Sequence, residues 1–170
     1  PAGMSNLTVN TYGGTGDDIV YGGSGNDMLY GGDDNDRLEG QSGNDRIYGQ
    51  DGDDRLYGSS GFDFLYGGEG NDYLNGGSDA DRMYGGAGDD DLRGGNQDDW
   101  LYGDDGADDI RGGNHNDKLV GGAGMDSLRG EAGNDILIYD IEDRYWGGSG
   151  FDWIVLNETE TGDLDFSNTN

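Results

Sequence analysis

The sequence lacks several components on which most folded domains depend. It has 170 residues but no cysteine, one proline and only nine lysine and arginine residues. Without cysteine, neither disulfides nor thiolate metal sites can form. Its 37 Asp and Glu residues give a formal net charge of −28, which excludes a basic nucleic-acid-binding surface. No apolar run approaches the ~18 residues of a membrane-spanning helix.

Hydrophobic residues are also scarce. Leu, Ile, Val and Phe together number 28, and low hydrophobicity with a high net charge is typical of disordered chains. Glycine, in contrast, accounts for 38 residues, well above its usual share of about 7%. A conventional globular core is therefore not expected. Such a chain can fold if it has a strict internal repeat, or a ligand that neutralises its charge.

The repeat is a unit of nine residues, Gly-Gly-x-Gly-x-Asp-x-apolar-x. It begins at Gly13 and recurs without a slip through the fourteenth unit, which begins at Gly130. The spacing indicates an eight-residue insertion at 139–146 and a fifteenth unit from Gly147. Position one is Gly and position six is Asp in all fifteen units. Position eight is always apolar: Val20, Leu29, Leu38, Ile47, Leu56, Leu65, Leu74, Met83, Leu92, Leu101, Ile110, Leu119, Leu128, Leu137 and Ile154.

This pattern predicts a parallel β-solenoid. Six turn residues precede three residues that can form a strand, in which position eight faces opposite to positions seven and nine. Two units then make one coil of eighteen residues, so that odd-numbered units stack into one parallel sheet and even-numbered units into the other. The position-eight side chains fill the space between the sheets. Because such short strands bury little apolar area against the entropy of ordering them, something else must hold the turns.

The charge distribution indicates a cation. Positions one to six of the fifteen units contain no Lys or Arg but hold 27 of the 37 acidic residues. Stacked turns lie about 4.8 Å apart, twice a calcium–oxygen bond of about 2.4 Å, so one ion can touch a carboxylate from each of two turns. Oxygen ligands without His or Cys favour calcium. The predicted position-six ligands are Asp18, Asp27, Asp36, Asp45, Asp54, Asp63, Asp72, Asp81, Asp90, Asp99, Asp108, Asp117, Asp126 and Asp135.

The nonapeptide resembles the RTX, or hemolysin-type, calcium-binding repeat of type I secreted bacterial proteins, across residues 13–138 and 147–155. The resemblance implies an all-β, calcium-loaded parallel β-roll that is disordered without Ca²⁺ and folds in extracellular calcium. It implies a secreted or cell-surface location and a role in secreting and folding a larger protein, such as an adhesin or toxin. About twelve Ca²⁺ ions are expected, because units 1–14 supply twelve pairs of turns two units apart.

The resemblance also implies backbone ligands. Each ion would take the carbonyls of positions two and four of one turn, and the carbonyls of positions one and three of the turn eighteen residues later. Positions two are Gly14, Gly23, Gly32, Gln41, Gln50, Ser59, Gly68, Gly77, Gly86, Gly95, Asp104 and Gly113. Positions four are Gly16, Gly25, Asp34, Gly43, Gly52, Gly61, Gly70, Asp79, Gly88, Gln97, Gly106 and His115. Positions one are Gly31, Gly40, Gly49, Gly58, Gly67, Gly76, Gly85, Gly94, Gly103, Gly112, Gly121 and Gly130. Positions three are Asp33, Ser42, Asp51, Ser60, Glu69, Ser78, Ala87, Asn96, Asp105, Asn114, Ala123 and Ala132.

The outward strand positions of the even-numbered units carry a column of aromatic residues. Position nine reads Tyr30, Tyr48, Tyr66, Tyr84 and Tyr102, with Tyr12 one coil upstream, and position seven alternates cations with aromatics. One interpretation is that these residues stabilise neighbouring strands through cross-strand pairs. The alternative is a face that binds a saccharide or a neighbouring domain of the parent protein. In the odd-numbered units, Asp91 and Asp109 share a face with Arg93, Arg111 and Arg129, which predicts ion pairs.

Both ends differ from the repeat. Residues 1–12 contain Leu7-Thr8-Val9 and are predicted to form a leading rung, whereas the aromatic-rich residues 139–170 are predicted to cap the last rung of the solenoid. We expect a fragment of a longer protein. We do not expect an enzyme: the single histidine, His115, lies in a turn without a nucleophile at a fixed spacing, and paired carboxylates recur at every turn.

Overall fold

A computed structural model describes residues 8–157, which form seventeen strands in two parallel sheets. The nine-stranded sheet contains β1 (Asn10–Thr15), β3 (Met28–Asp33), β5 (Arg46–Asp51), β7 (Phe64–Glu69), β9 (Arg82–Ala87), β11 (Trp100–Asp105), β13 (Lys118–Ala123), β15 (Ile136–Tyr139) and β17 (Trp153–Leu156). The eight-stranded sheet contains β2 (Ile19–Ser24), β4 (Arg37–Ser42), β6 (Arg55–Ser60), β8 (Tyr73–Gly77), β10 (Asp91–Asn96), β12 (Asp109–Asn114), β14 (Ser127–Ala132) and β16 (Arg144–Ser149).

The pairing confirms the predicted coil of eighteen residues. Leu29 pairs with Ile47 in one sheet, and Leu38 pairs with Leu56 in the other. Odd-numbered strands pair only with odd-numbered strands, and even-numbered with even-numbered. The fold is therefore an all-β parallel solenoid in which successive nonapeptides alternate between two sheets.

The strands are longer than the three residues that the sequence predicts. Most run for six residues, from position seven of one unit to position three of the next. In β3, for example, Tyr30 pairs with Tyr48, position one is skipped, and Gly32 and Asp33 then pair with Gln50 and Asp51. The glycine-rich turn residues thus also satisfy their backbone hydrogen bonds with the next coil, as buried backbone groups must.

The core is a single column of position-eight side chains between the sheets. The fourteen from Val20 to Leu137 are buried, as predicted, thirteen of them completely. Ile154, the last of the series, is 42% exposed because it lies in β17, the edge strand of the nine-stranded sheet. Fully burying one such side chain stabilises the fold by about 1.5–3 kcal/mol. The core therefore stabilises the solenoid by adding many such contributions along the column.

The predicted insertion at 139–146 proves to be a repeat unit that lacks one turn residue. Arg144, Tyr145 and Trp146 pair with Ser127, Leu128 and Arg129 in the register of positions seven to nine. The offset is 17 residues instead of 18. The single missing residue shifts the phase of the repeat, so the sequence pattern does not reveal this unit. Arg144 therefore occupies a strand position, as the other eight basic residues do.

At the N-terminal end, the leading rung is β1, in which Thr11 occupies position eight and pairs with Leu29. Leu7 lies outside the described residues, as do Leu164 and Phe166 of the predicted C-terminal cap. The described part of that cap exposes Trp146, Phe151 and Trp153 by 72%, 85% and 71%. Between residues 8 and 157, no helix is long and apolar enough to cross a membrane.

Candidate metal centre

The position-six aspartates line the two edges of the solenoid, where the chain passes from one sheet to the other. They are buried, from Asp27 at 3% exposure to Asp135 at 0%, whereas Asp18 in the first turn is half-buried. Along each edge, the backbone N–H of one Asp donates to Oδ1 of the Asp one coil later. The donor–acceptor distance is 2.7 Å from Asp18 to Asp36, and also from Asp27 to Asp45. The structure therefore links each predicted pair of aspartates by a hydrogen bond from the backbone of one to the carboxylate of the other.

The second carboxylate oxygen of these residues has no partner. Oδ2 is buried without a hydrogen bond in thirteen consecutive position-six residues: Asp27, Asp36, Asp45, Asp54, Asp63, Asp72, Asp81, Asp90, Asp99, Asp108, Asp117, Asp126 and Asp135. A buried charged oxygen without a partner is costly. Thirteen of them in register indicate a ligand that the protein itself does not supply.

Burial raises the pKa of the twelve carboxyl groups from Asp36 to Asp135 in this series. It does so to about 6 at Asp45, about 7 at Asp54 and about 8 at Asp63, because desolvation disfavours the charged form. The hydrogen bond from the preceding Asp lowers each pKa, and the repulsion of neighbouring carboxylates raises it. Without a cation, the folded edges would therefore hold protons near neutral pH.

Backbone oxygens converge on the same places. If Gly13 carried a Cβ, it would lie 2.7 Å from Oδ2 of Asp18 and 2.6 Å from the carbonyl oxygen of Gly31. These two oxygens belong to one predicted site. Position one is therefore glycine in every unit because a side chain there would fill the cradle in which the predicted ligands meet. The donor set of hard carboxylate and carbonyl oxygens fits calcium.

Positions two and four require a left-handed backbone at most turns, whatever residue occupies them. Among the non-glycine residues there, φ is 76° at Gln41, 78° at Asp34 and 80° at His115. Asp79 is an exception: it does not have a positive φ, and the strand that precedes it, β8, ends one residue early at Gly77. A Cβ at Gly32 would overlap the carbonyl oxygen of Gly14, a predicted ligand.

Two residues extend the aspartate ladder beyond the continuous repeat. Asp126 donates its N–H to Oδ1 of Asp143 at 2.9 Å, and Asp135 donates to Oδ1 of Asp152 at 3.1 Å. Asp143 was missed because it lies in the shortened unit. Its signal in the sequence is the Asp-x-apolar spacing to Tyr145, without any of the usual glycines. The ladder therefore contains fourteen Asp–Asp pairs between Asp18 and Asp152.

A second side-chain ladder, which the sequence does not reveal, runs along position five. Its direction is opposite: the side-chain oxygen of Asn26 accepts the N–H of Asn44, whose own side chain accepts the N–H of Phe62. On the other edge, Asp53 accepts from Asn71, and Asn71 accepts from Asp89. These bonds are solvent-exposed, and they join turns one coil apart independently of any ion wherever position five is Asn or Asp.

No cluster of three or more His, Cys, Asp or Glu side chains able to hold a metal occurs in the described range 8–157. In the predicted sites each ion has two carboxylates and completes its shell with main-chain oxygens. A β-roll site is therefore not visible as a side-chain cluster.

The outer face of the nine-stranded sheet carries the predicted tyrosine column. Six rings, from Tyr12 to Tyr102, stack in parallel with centroids 4.4–5.0 Å apart. Their flat sides cover one another, which leaves edges and hydroxyl groups on the surface. On the eight-stranded sheet the predicted ion pairs form, at 2.8 Å for Arg93–Asp91, 2.6 Å for Arg111–Asp109 and 2.7 Å for Arg129–Asp109.

Comparison with known proteins supports this interpretation of the edges. The family model of the RTX calcium-binding nonapeptide repeat matches residues 12–47, 30–65, 48–83, 57–92, 84–114 and 111–141, which together cover well over half of the chain. The search of curated proteins found no match to the chain. The matched residues form most of the two parallel sheets and of the aspartate-lined edges between them, and the chain belongs to the family of RTX calcium-binding repeats.

Proposed function

We propose that this calcium-binding module is disordered without Ca²⁺ and folds when it binds the ion. The observation that carries the proposal is the row of thirteen buried Oδ2 atoms without a hydrogen-bond partner. In a metal-free fold each of them would have to be protonated or remain a buried charge, and a chain with a net charge of −28 has few cations to offset this. Binding energy then becomes folding energy.

The number of sites follows from the carboxylate pairs. Units 1–14 supply twelve pairs, and the pairs Asp126–Asp143 and Asp135–Asp152 supply two more. We propose up to fourteen ions. Each is held by two aspartates, by the carbonyls of positions two and four of one turn, and by the carbonyls of positions one and three of the turn one coil later. Fourteen divalent ions carry a charge of +28, which would balance the formal charge of −28.

The biological role we propose is that of a folding switch in a larger secreted protein. Where calcium is scarce, as inside a cell, the chain would remain extended and able to pass through a secretion channel. At the roughly millimolar calcium outside, sites of extracellular affinity fill and the solenoid forms. We assign the module no catalytic role, because its carboxylates recur at every turn and are committed to the ladder.

The test is a calcium titration of the chelator-treated chain, monitored by circular dichroism. We expect a coil spectrum in chelator, a β spectrum in millimolar Ca²⁺, and little change in the same concentration of Mg²⁺, which requires a smaller octahedral site. Calorimetry on the same sample counts the ions. A chain that is fully folded in chelator at neutral pH and low salt, or that binds fewer than about eight ions, would contradict the proposal.

A further inference from the structure

The tyrosine column places phenol side chains in direct succession on neighbouring strands. Six of the eleven tyrosines of the chain lie in it, and each is in register with the next, as Tyr48 is with Tyr66 and Tyr66 with Tyr84. Neighbouring rings are parallel to within 10°. Because the sequence contains no cysteine, no disulfide can link these strands. Tyrosine is the side chain through which oxidation can link them.

The geometry of the column suits a bond between neighbouring rings. The ring centroids of Tyr48 and Tyr66 are 4.9 Å apart, and those of Tyr66 and Tyr84 are 5.0 Å apart. These distances match the spacing of neighbouring strands, about 4.8 Å, so successive parallel rings are related by a simple translation. Each carbon ortho to a hydroxyl group therefore lies beside its counterpart on the next ring. A small tilt of two rings brings these carbons into contact.

The column is also accessible to an oxidant. It lies on the outer face of the sheet, where Tyr12 is 69% exposed and the five rings from Tyr30 to Tyr102 are half-buried. An oxidised ring can take an electron from the ring that is stacked on it. Oxidation of the exposed end can therefore pass along the column to rings that the oxidant does not touch.

We propose that the tyrosine column is a site of oxidative cross-linking, in which dityrosine bonds between neighbouring strands fix the calcium-bound fold. Each of two neighbouring phenols loses one electron and one proton and becomes a phenoxyl radical, whose unpaired electron is shared with the ortho carbons. The two radicals form a carbon–carbon bond, and the hydrogen on each linked carbon moves to the oxygen of its own ring, which restores both phenols. The two electrons and two protons pass to hydrogen peroxide, which a peroxidase reduces to two molecules of water.

Cross-linking in the column depends on the folded state, and in this respect the inference rests on the proposed function. Neighbouring tyrosines such as Tyr48 and Tyr66 are eighteen residues apart in the chain. In an unfolded chain their radicals meet only through loop closure, which costs entropy, whereas in the solenoid the rings are already in contact. The finished bond closes a loop of one coil and restricts the unfolded chain, as a disulfide does. Refolding then requires less calcium.

Two tyrosine pairs outside the column provide an internal comparison. Tyr57 and Tyr73 lie 5.7 Å apart with their rings tilted by 48°, and Tyr139 and Tyr145 lie 4.3 Å apart with their rings tilted by 43°. Each is a single pair, so a bond there joins two strands only, whereas the column extends over six strands of one sheet. Mapping of the linked peptides separates the column from these two pairs.

The experiment treats the dilute full chain with a haem peroxidase and hydrogen peroxide, once in millimolar calcium and once in chelator. With calcium we expect dityrosine fluorescence, a monomer that has lost two hydrogens for each bond, and linked peptides that pair neighbouring members of the column. In chelator the fluorescence should be about fivefold weaker or less. The triple variant Y30F/Y66F/Y102F keeps six stacked rings but leaves no two neighbouring phenols in the column, and it should lose these linked peptides and most of the fluorescence.

The matched triple Y21F/Y57F/Y73F removes three tyrosines outside the column and should keep the linked peptides of the column, and circular dichroism establishes that both triples are folded. After treatment, the calcium midpoint of folding of the cross-linked wild-type chain should be lower than before. The proposal is overturned if the folded wild-type chain forms no dityrosine, or if its bonds join only different molecules or only the two pairs outside the column. It is also overturned if both triples lose fluorescence equally, or if cross-linking leaves the midpoint unchanged.

Calcium-dependent folding is measured separately by circular dichroism. A chain that folds with calcium but forms no dityrosine contradicts this inference alone. A chain that is folded in chelator contradicts the proposed function, and it should then form dityrosine in chelator as well.

Discussion

The edges and the outer faces of this solenoid stabilise it in opposite ways. The edges are acidic, contain no lysine or arginine, and hold buried carboxylates whose Oδ2 atoms have no hydrogen-bond partner. The faces hold all nine basic residues and most of the aromatic ones, and their contacts are satisfied by the protein itself. The edges therefore make folding depend on a ligand, whereas the faces favour folding under all conditions. Perturbing each region separately tests this division.

The largest change in the calcium midpoint of folding should come from deleting the last coil together with the aspartates at its two edges. Deleting residues 139–170 leaves the N–H groups of Asp126 and Asp135 without Asp143 and Asp152, and it removes β16 and β17. We expect the calcium concentration at the folding midpoint to rise, because each of the two lost bonds costs about 1 kcal/mol and the cover of the last coil is lost as well. Deletion of residues 1–12 is the control and should raise the calcium midpoint less. Equal midpoints for the full and shortened chains in a circular dichroism titration would show that the C-terminal segment adds nothing.

A single aspartate in the middle of an edge should matter more than one at its end. Asp72 accepts the N–H of Asp54 and donates its own N–H to Asp90, so it belongs to two predicted sites. Asp18 donates to Asp36 and belongs to one. Asp72→Ala leaves a buried N–H without its partner, at a cost of about 1–3 kcal/mol, and should raise the calcium midpoint more than Asp18→Ala. Identical midpoints would argue against ligands shared between neighbouring sites.

Acid should partly replace calcium at the edges. The folded-state pKa of Asp63 is raised to about 8, above an unfolded value of about 3.9. The protonated carboxyl group therefore favours folding at low pH, and this contribution is lost as the pH rises through about 8. We expect the β signal of the calcium-free chain to increase between pH 8 and pH 5. A signal that falls over this range would contradict the raised pKa values.

The calcium-loaded chain is the control for the acid experiment. Between pH 6 and pH 8 the aspartates of the unfolded chain are ionised, as are those that bind calcium. The calcium midpoint should therefore change little over that range, in contrast to the signal of the calcium-free chain.

The smallest effect should come from the stacked tyrosines on the outer face of the nine-stranded sheet. Tyr66 stacks on Tyr48 at 4.9 Å and on Tyr84 at 5.0 Å, and each aromatic pair contributes about 0.5–1.5 kcal/mol. We expect Tyr66→Ala to raise the calcium midpoint less than Asp72→Ala does, and Tyr12→Ala, which removes one stack, to raise it less still. If Tyr66→Ala exceeded Asp72→Ala in the same titration, the faces and not the edges would control folding.

Much of this architecture could be predicted because the repeat is strict. The phase of Gly, Asp and the apolar residue fixes the coil, the two sheets and the buried column from Val20 to Leu137. Asp143 could not be found in this way, because one missing turn residue breaks the phase while the strand register continues. Nor could the position-five ladder, since Asn and Asp are common in any turn, and only the backbone shows that Asn71 accepts from Asp89.

The alternation of units between the sheets constrains how the length of the gene can change. Loss or gain of eighteen residues removes or adds one complete coil, and every downstream side chain keeps its sheet. Loss or gain of a single nonapeptide moves all downstream units to the other sheet, so that Tyr84 and Tyr102 would follow the column of Tyr57 instead of Tyr66. Duplications in whole coils preserve both faces, whereas duplications of one repeat exchange them. Within the stretch from Tyr12 to Tyr102, length changes in steps of eighteen residues therefore keep the stacked tyrosines in one column.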